Sequence, residues 1–461
     1  YSDPNLPDDY GRGGIRAYSG SGNINIGAAD PAAGSGIGAI YSEEEGILAR
    51  SDTGSIDIRT EATIISLDVD GINARTDQQG DITISAFGEN TAREEGIDVR
   101  SYGQGDITIF ADDSIFSEYD DGIRAQTDQR GDITVSTYGN IAADDDGIRL
   151  ILSEGGDVTL TVTEDIVAGD DGISVDNRSE YAEPLTTPIS YNSQIYINAI
   201  VEGYEQAVEL EHRVGGQVSL TLGADAELIS GSDTAALLDA TLDGASASIQ
   251  GASNMLTGVT YGARITTENG DITVRDLGVV TGGTQSGIYA ASNGGSITIE
   301  NIADAISAGA VAINADARLT GGIGGLSGGD GDVSIQNVSV LERYDSTTMT
   351  NERSYFGIRA NSGTGNINIG LDADMANSAI GDIYAEFSGI FANSESGNVY
   401  IQTAGVINAG ITGIEADTES EGGRIEIVSS DFIAGANGSV ANHNEAGTVT
   451  IETRGHIQSG E

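Results

Sequence analysis

The stretch GINARTDQQGDITISAFGENTAREE (71–95) is followed by GIDVRSYGQGDITIFADDSIFSEYDD (96–121), GIRAQTDQRGDITVSTYGNIAADDD (122–146) and GIRLILSEGGDVTLTVTEDIVAGDD (147–171), four versions of one line. Gly-Ile pairs begin at Gly71, Gly96, Gly122, Gly147 and Gly172, at spacings of 25, 26, 25 and 25 residues. A period this tight marks a solenoid, in which each repeat is one coil. A second fixed element, Gly-Asp followed by aliphatic, Thr, aliphatic, begins at Gly80, Gly105, Gly131 and Gly156.

Within that element Ile82 and Ile84 share one face while Asp81 and Thr83 share the other, which is the periodicity of a strand and not of a helix. A third aliphatic position follows each Gly-Asp strand by seven to nine residues, at Ile115, Ile141 and Ile166. Each period therefore carries three short strands parted by Gly, Asn and Asp turns. A strand in such a coil can pair only with its own copy one coil later, running the same way, so the sheets are parallel and grow by about 4.8 Å per coil. Parallel crossovers are right-handed in nearly all cases. The sequence thus predicts an all-β chain, a single right-handed parallel β-helix of 16 coils spanning residues 1–461, with the coils opening at Gly14, Gly46, Gly71, Gly96, Gly122, Gly147, Gly172, Ala207, Ala235, Gly262, Gly287, Ala310, Gly357, Gly389, Gly413 and Ser439. Such a rod is on the order of 75 to 80 Å long.

A longer repeat lies over the short one. Residues 14–49 return as 357–392, offset by 343, with 22 of the 36 aligned positions identical, and Tyr1 aligns with Tyr344. Residues 14–343 thus read as one long unit and 344–461 as the start of the next. The period is interrupted at 28–40, 176–192, 341–355 and 371–383, and Pro184 and Pro188 in the second of these cannot join a ladder, so all four are expected to protrude as loops. Glycine at the coil corners is expected to supply left-handed backbone.

The chain has 72 acidic and 20 basic residues, a formal charge of −52, and every basic residue is Arg. That balance excludes nucleic acid as a partner and disfavours anionic membranes. No Cys is present and no apolar run is long enough to span a bilayer, which fits an exported chain without disulfides.

The acidic residues fall into columns. Asp81, Asp106, Asp132 and Asp157 are expected to stack in one, and Glu94-Glu95, Asp120-Asp121, Asp145-Asp146 and Asp170-Asp171 in a second, ahead of the Gly-Ile corner. Carboxylates about 4.8 Å apart repel by roughly 0.9 kcal/mol in water. Either salt screens them or Ca2+ bridges them through oxygen ligands. The surface ladders that would hold Ca2+ are Asp81, Asp106, Asp132 and Asp157, with Asp121, Asp146 and Asp171. The Gly-Gly-x-Gly-x-Asp calcium nonapeptide is not matched, since Gly328-Gly329-Asp330-Gly331-Asp332 continues with Val333.

Catalysis finds little purchase. Asp-Asp pairs recur in every coil of the regular stretch, and without Lys no phosphate-binding Gly-x-x-x-x-Gly-Lys loop exists. His212, His443 and His456 are far apart in coil number and read as surface residues. No cofactor is required by anything in the chain.

The Gly-Ile-x-Ala, Gly-Asp-Ile-Thr-Ile and Asp-Asp-Gly-Ile phrasing resembles the passenger regions of bacterial autotransporters and the filamentous-haemagglutinin type of secreted adhesin. The resemblance implies an extracellular, outer-membrane-associated surface rod of a Gram-negative bacterium, without enzymatic activity. Its partners would be other copies of itself, end to end or side by side, or a ligand on a host or neighbouring cell. The alternatives are a filament or sheath subunit, and a polysaccharide-degrading β-helix or phage tail fibre.

Overall fold

The computed structural model describes residues 14–27, 39–178, 190–241, 244–307, 310–318, 331–340, 343–345, 350–352, 354–370, 380–419, 421–444 and 446–459. These form a right-handed parallel β-helix of about 15 turns with about three strands per coil, divided between two units, Tyr1–Val214 and Gly215–Glu461. No helix occurs among the described residues.

In the first unit every coil repeats the register of the one before. The strands Ile47–Ser51, Ile72–Thr76, Ile97–Ser101, Ile123–Thr127 and Ile148–Leu152 stack so that Ile47, Ile72, Ile97, Ile123 and Ile148 form one column. On the second face Ile56, Ile82, Ile107, Ile133 and Val158 stack in the same way. The third face carries Ile64, Asn90, Ile115, Ile141 and Ile166. Asn90 breaks the aliphatic column, and its Nδ2 donates to the Gly96 carbonyl at 2.6 Å while its buried Oδ1 has no hydrogen-bond partner. The aliphatic residues of these columns are at most 2% exposed, and burying each contributes about 1.5–3 kcal/mol before chain entropy is subtracted.

The second unit keeps the parallel register, as in Ile272, Ile297, Val333, Ile367, Val399 and Ile425. Its corners differ. Strands Ser246–Gly258, Ile272–Gly282 and Ile297–Ser307 run through a bend that the first unit makes with a break. Ser253, Asp276, Asn301 and Asn337 occupy left-handed backbone there, with φ between 47° and 70°. Asn301 and Asn337 each donate a side-chain N–H to the preceding member of the column, at 2.8 and 2.9 Å, so the bend is tied from coil to coil.

Of the four expected loops, residues 28–38, 179–189 and 371–379 lie outside the described residues, as do parts of 341–355. In that last segment Arg343–Asp345 and Thr350–Glu352 pair antiparallel with each other.

The role expected of the corner glycines is corrected. Gly71, Gly96, Gly122, Gly147 and Gly172 are absent from left-handed backbone, unlike Gly80 at φ +133°. What requires glycine is proximity. A Cβ on Gly122 would stand 2.5 Å from Ile141 Cγ2 and 2.6 Å from the Gly147 carbonyl oxygen. Neither obstacle can yield, one being a core side chain and the other a ladder backbone. Gly122→Ala should therefore cost about 1–3 kcal/mol by overpacking. Denaturant unfolding of the full chain measures this, and an unchanged midpoint would refute the steric account.

Candidate functional site

The two acidic columns have different fates. Asp81, Asp106, Asp132 and Asp157 are exposed and aligned, as expected. Each already has structural work: Asp81 Oδ1 accepts the backbone N–H of Asp106 at 3.1 Å, Asp106 that of Asp132 at 2.9 Å, Asp132 that of Asp157 at 2.9 Å, and Asp157 that of Asn192 at 2.7 Å. The same chain of caps runs through the second unit with mixed residues, Asp332 to the N–H of Asn366, Asn366 to Asn398 and Asn398 to Arg424. The column exists because an N–H at the turn into each Gly-Asp strand needs an acceptor, and the side chain one coil earlier supplies it. Asp132→Ala should destabilise by about 1–2 kcal/mol whereas Asp132→Asn, which keeps an acceptor oxygen, should stay within about 0.5 kcal/mol of the parent. Equal losses in urea unfolding would exclude the capping role.

The second column was expected at the surface and is not there. Asp121, Asp146 and Asp171 are 0%, 3% and 7% exposed, and Asp70 and Glu95, two coils and one coil earlier than Asp121 in the same column, are 4% and 6%. The corner turns these side chains under the first strand of the coil, and only their neighbours Glu94, Asp120, Asp145 and Asp170 reach solvent. Asp121 Oδ1 accepts the N–H of Asp146 at 3.2 Å, Asp146 that of Asp171 at 3.1 Å, and Asp171 that of Gln206 at 2.9 Å. Burial pushes Asp121 up to about 8, with repulsion from Asp146 adding and Arg149 opposing. Burial takes Asp171 to about 8 and Asp146 to about 6, each opposed by the N–H that it accepts.

At the start of this column a cavity of about 360 Å³ opens, lined by Arg50, Asp70, Asn73, Arg75, Glu94, Glu95, Asp98, Arg100, Tyr102 and Asp120. Here arginines pair with two of the acids, Glu95 and Asp98, while Asp70 Oδ1 has no hydrogen-bond partner. Arg100 Nε lies 3.0 Å from Asp98 Oδ1, Arg100 and Arg124 each stand 3.7 Å from Glu95 Oε1, and Asn73 Nδ2 donates to Asp70 at 2.7 Å. Burial nevertheless holds Asp70 at about 8, the Asn73 hydrogen bond pulling down and Glu95 and Asp98 pushing up. Burial also raises Asp98 against the pull of Arg100.

His212 is a second correction, since it is 1% exposed. It takes the place after Asn177 in an inward polar column, and its Nδ1 lies 3.2 Å from Ser193 Oγ. Ser193 is itself 1% exposed, so this Ser–His contact is closed to any substrate and serves as a polar insert in the core. His443 is part-buried against the Gly423 carbonyl, and His456 is exposed.

The chain matches no protein-family model, no curated protein and no solved structure.

A carboxyl whose pKa is higher folded than unfolded keeps its proton longer in the folded chain. Its contribution is present in full below the unfolded value near 4 and is lost as the pH rises towards the folded value near 8. Thermal stability, measured in chelator at constant ionic strength, should thus fall between pH 5 and pH 8. Asp70→Asn, which cannot ionise, should flatten that slope by at least about 1 kcal/mol, or on the order of 2–4 °C. A slope identical to that of the parent would show that Asp70 is not buried in ionisable form.

Proposed function

We propose that the protein is an extracellular structural or adhesive element of a Gram-negative cell surface that acts without catalysis. The observation that carries this reading is the capping column: the most regularly repeated acids, which any hydrolytic mechanism would first enlist, are each bonded to a backbone N–H of the next coil. Composition supports it as well. A charge of −52 without a single Lys keeps copies soluble and repels polyanions. The absence of Cys fits export without disulfide dependence. The partners of such an element are further copies of the chain, end to end or laterally, or a ligand on a neighbouring cell, met through the segments that interrupt the coil period.

The cavity beside Asp70 brings a raised carboxyl together with Arg50, Arg75 and Arg100, and it supplies the test against the polysaccharide-cleaving alternative. Purified chain incubated with acidic and neutral polysaccharides should release no reducing ends, and beads coated with it should adhere to cells or to one another. Cleavage that disappears in Asp70→Asn would replace this reading with an enzymatic one.

A further inference from the structure

Past the cavity the buried column continues without its arginines. One carboxylate oxygen each from Asp120, Asp121 and Asp145 lies within 4.8 Å of the others, and the same holds for Asp145, Asp146 and Asp170. Asp145 belongs to both triads, so the two form one strip across three coils. Among the described residues a single ion pair reaches it, from Arg149 Nη1 to Asp146 Oδ2 at 3.5 Å. Arg149 is half-exposed and its one charge acts on Asp121, Asp145 and Asp146 together, so a single arginine faces five carboxyls.

Two further observations separate this strip from an ordinary acidic surface. Asp121 is fully buried, and while its Oδ1 accepts the Asp146 N–H, its Oδ2 has no hydrogen-bond partner. An oxygen stripped of water and given no donor is what a metal ion would complete. The fold, moreover, does not demand acid at this position. In the second unit the residue before the corner glycine or alanine is a buried, neutral hydroxyl in four coils, Thr234, Ser286, Ser388 and Thr412, each at most 5% exposed, and is Tyr261, Phe356 or Asn437 in three others. A hydroxyl fills the place as well as a carboxylate does.

The donor set is carboxyl oxygen throughout, with no nitrogen or sulfur, which selects hard cations. Two oxygens bound to one Ca2+ at 2.3–2.6 Å can be no more than about 5.2 Å apart, and the triads satisfy that limit. Asp120, Asp145 and Asp170 are half-exposed, which gives an ion an entrance and room for the waters that complete its shell. Calcium tolerates irregular geometry better than Mg2+ does. We propose that the strip Asp120, Asp121, Asp145, Asp146 and Asp170 is a Ca2+ site whose two triads are bridged by Asp145.

The inference stands independently of the proposed surface role. Calorimetric titration of the full, chelator-stripped chain with CaCl2, in sodium chloride that fixes the ionic strength, should show saturable binding and a thermal midpoint raised by several degrees. Asp145→Asn should weaken binding at least tenfold. Asp121→Asn should raise the midpoint in chelator, because it removes a buried charge, and should diminish the gain from Ca2+. Asp132→Asn, in the exposed capping column, should titrate like the parent. The proposal is overturned if millimolar Ca2+ gives no saturable heat, if sodium chloride reproduces the midpoint shift, or if Asp145→Asn and Asp121→Asn both bind as the parent does.

Discussion

The strands of the coils hydrogen-bond to their own copies one coil away, in a register that holds without a shift through the described coils of the first unit, and the rest of the structure follows from that. Because the partner of Ile97 is Ile72 on one side and Ile123 on the other, any residue chosen at one place in the coil is read out as a column. An aliphatic choice gives a continuous core. A polar choice inside the coil gives a row of groups that must satisfy one another, as Thr76 and Ser101 do at 3.3 Å. A charged choice gives a row of like charges, and the stacking distance allows no escape from their repulsion.

The protein meets that repulsion in two ways. Along the Gly-Asp column the charge stays in water and each carboxylate gains a charge-assisted hydrogen bond to backbone, which offsets the cost of its neighbours. Along the corner column the carboxylates also accept backbone N–H groups, but they are out of water, and desolvation outweighs that bond, as the raised values of Asp121 and Asp171 record. At Asp98 and Glu95 arginine relieves the problem; at Asp121 no arginine is paired with the carboxylate. The same geometry thus yields a cavity with several arginines at one end of the column and a strip served by a single arginine at the other.

The architecture was legible in the sequence because the features that specify it are local and repeated. Alternation within Gly80 to Ile84 gives the strand, the 25-residue period gives the partner, and together they leave parallel stacking as the sole arrangement. Depth at the corners was not legible. Period-2 alternation says which side chains share a face only while the chain is extended, and Asp120-Asp121 lies where the chain turns. One of the pair points out and the other under the strand, and nothing in the string Asp-Asp distinguishes them. His212 escaped for a related reason. It lies at the inward end of a strand, in the place held by Thr76, Ser101 and Thr127, so its register with them marks it as interior. Glycine misled in the other direction: its usual licence for left-handed backbone concealed that the Gly-Ile corners are crowded instead.

The contrast between the two units bears on what the acids are for. Both build the same coil, yet at the residue ahead of the corner the first unit buries Asp or Glu in five successive coils, from Asp70 to Asp171, whereas the second unit has no acid there among the described coils and buries Thr or Ser in four of them. A buried hydroxyl needs only a hydrogen-bond partner, whereas a buried carboxylate adds a desolvation cost that grows with every neighbour in the column. If stacking alone governed this position, the neutral choice would serve throughout. The acidic stretch from Asp70 to Asp171 is therefore costly to the fold that carries it, and that cost, concentrated on one corner of one unit, is what the proposed Ca2+ would offset.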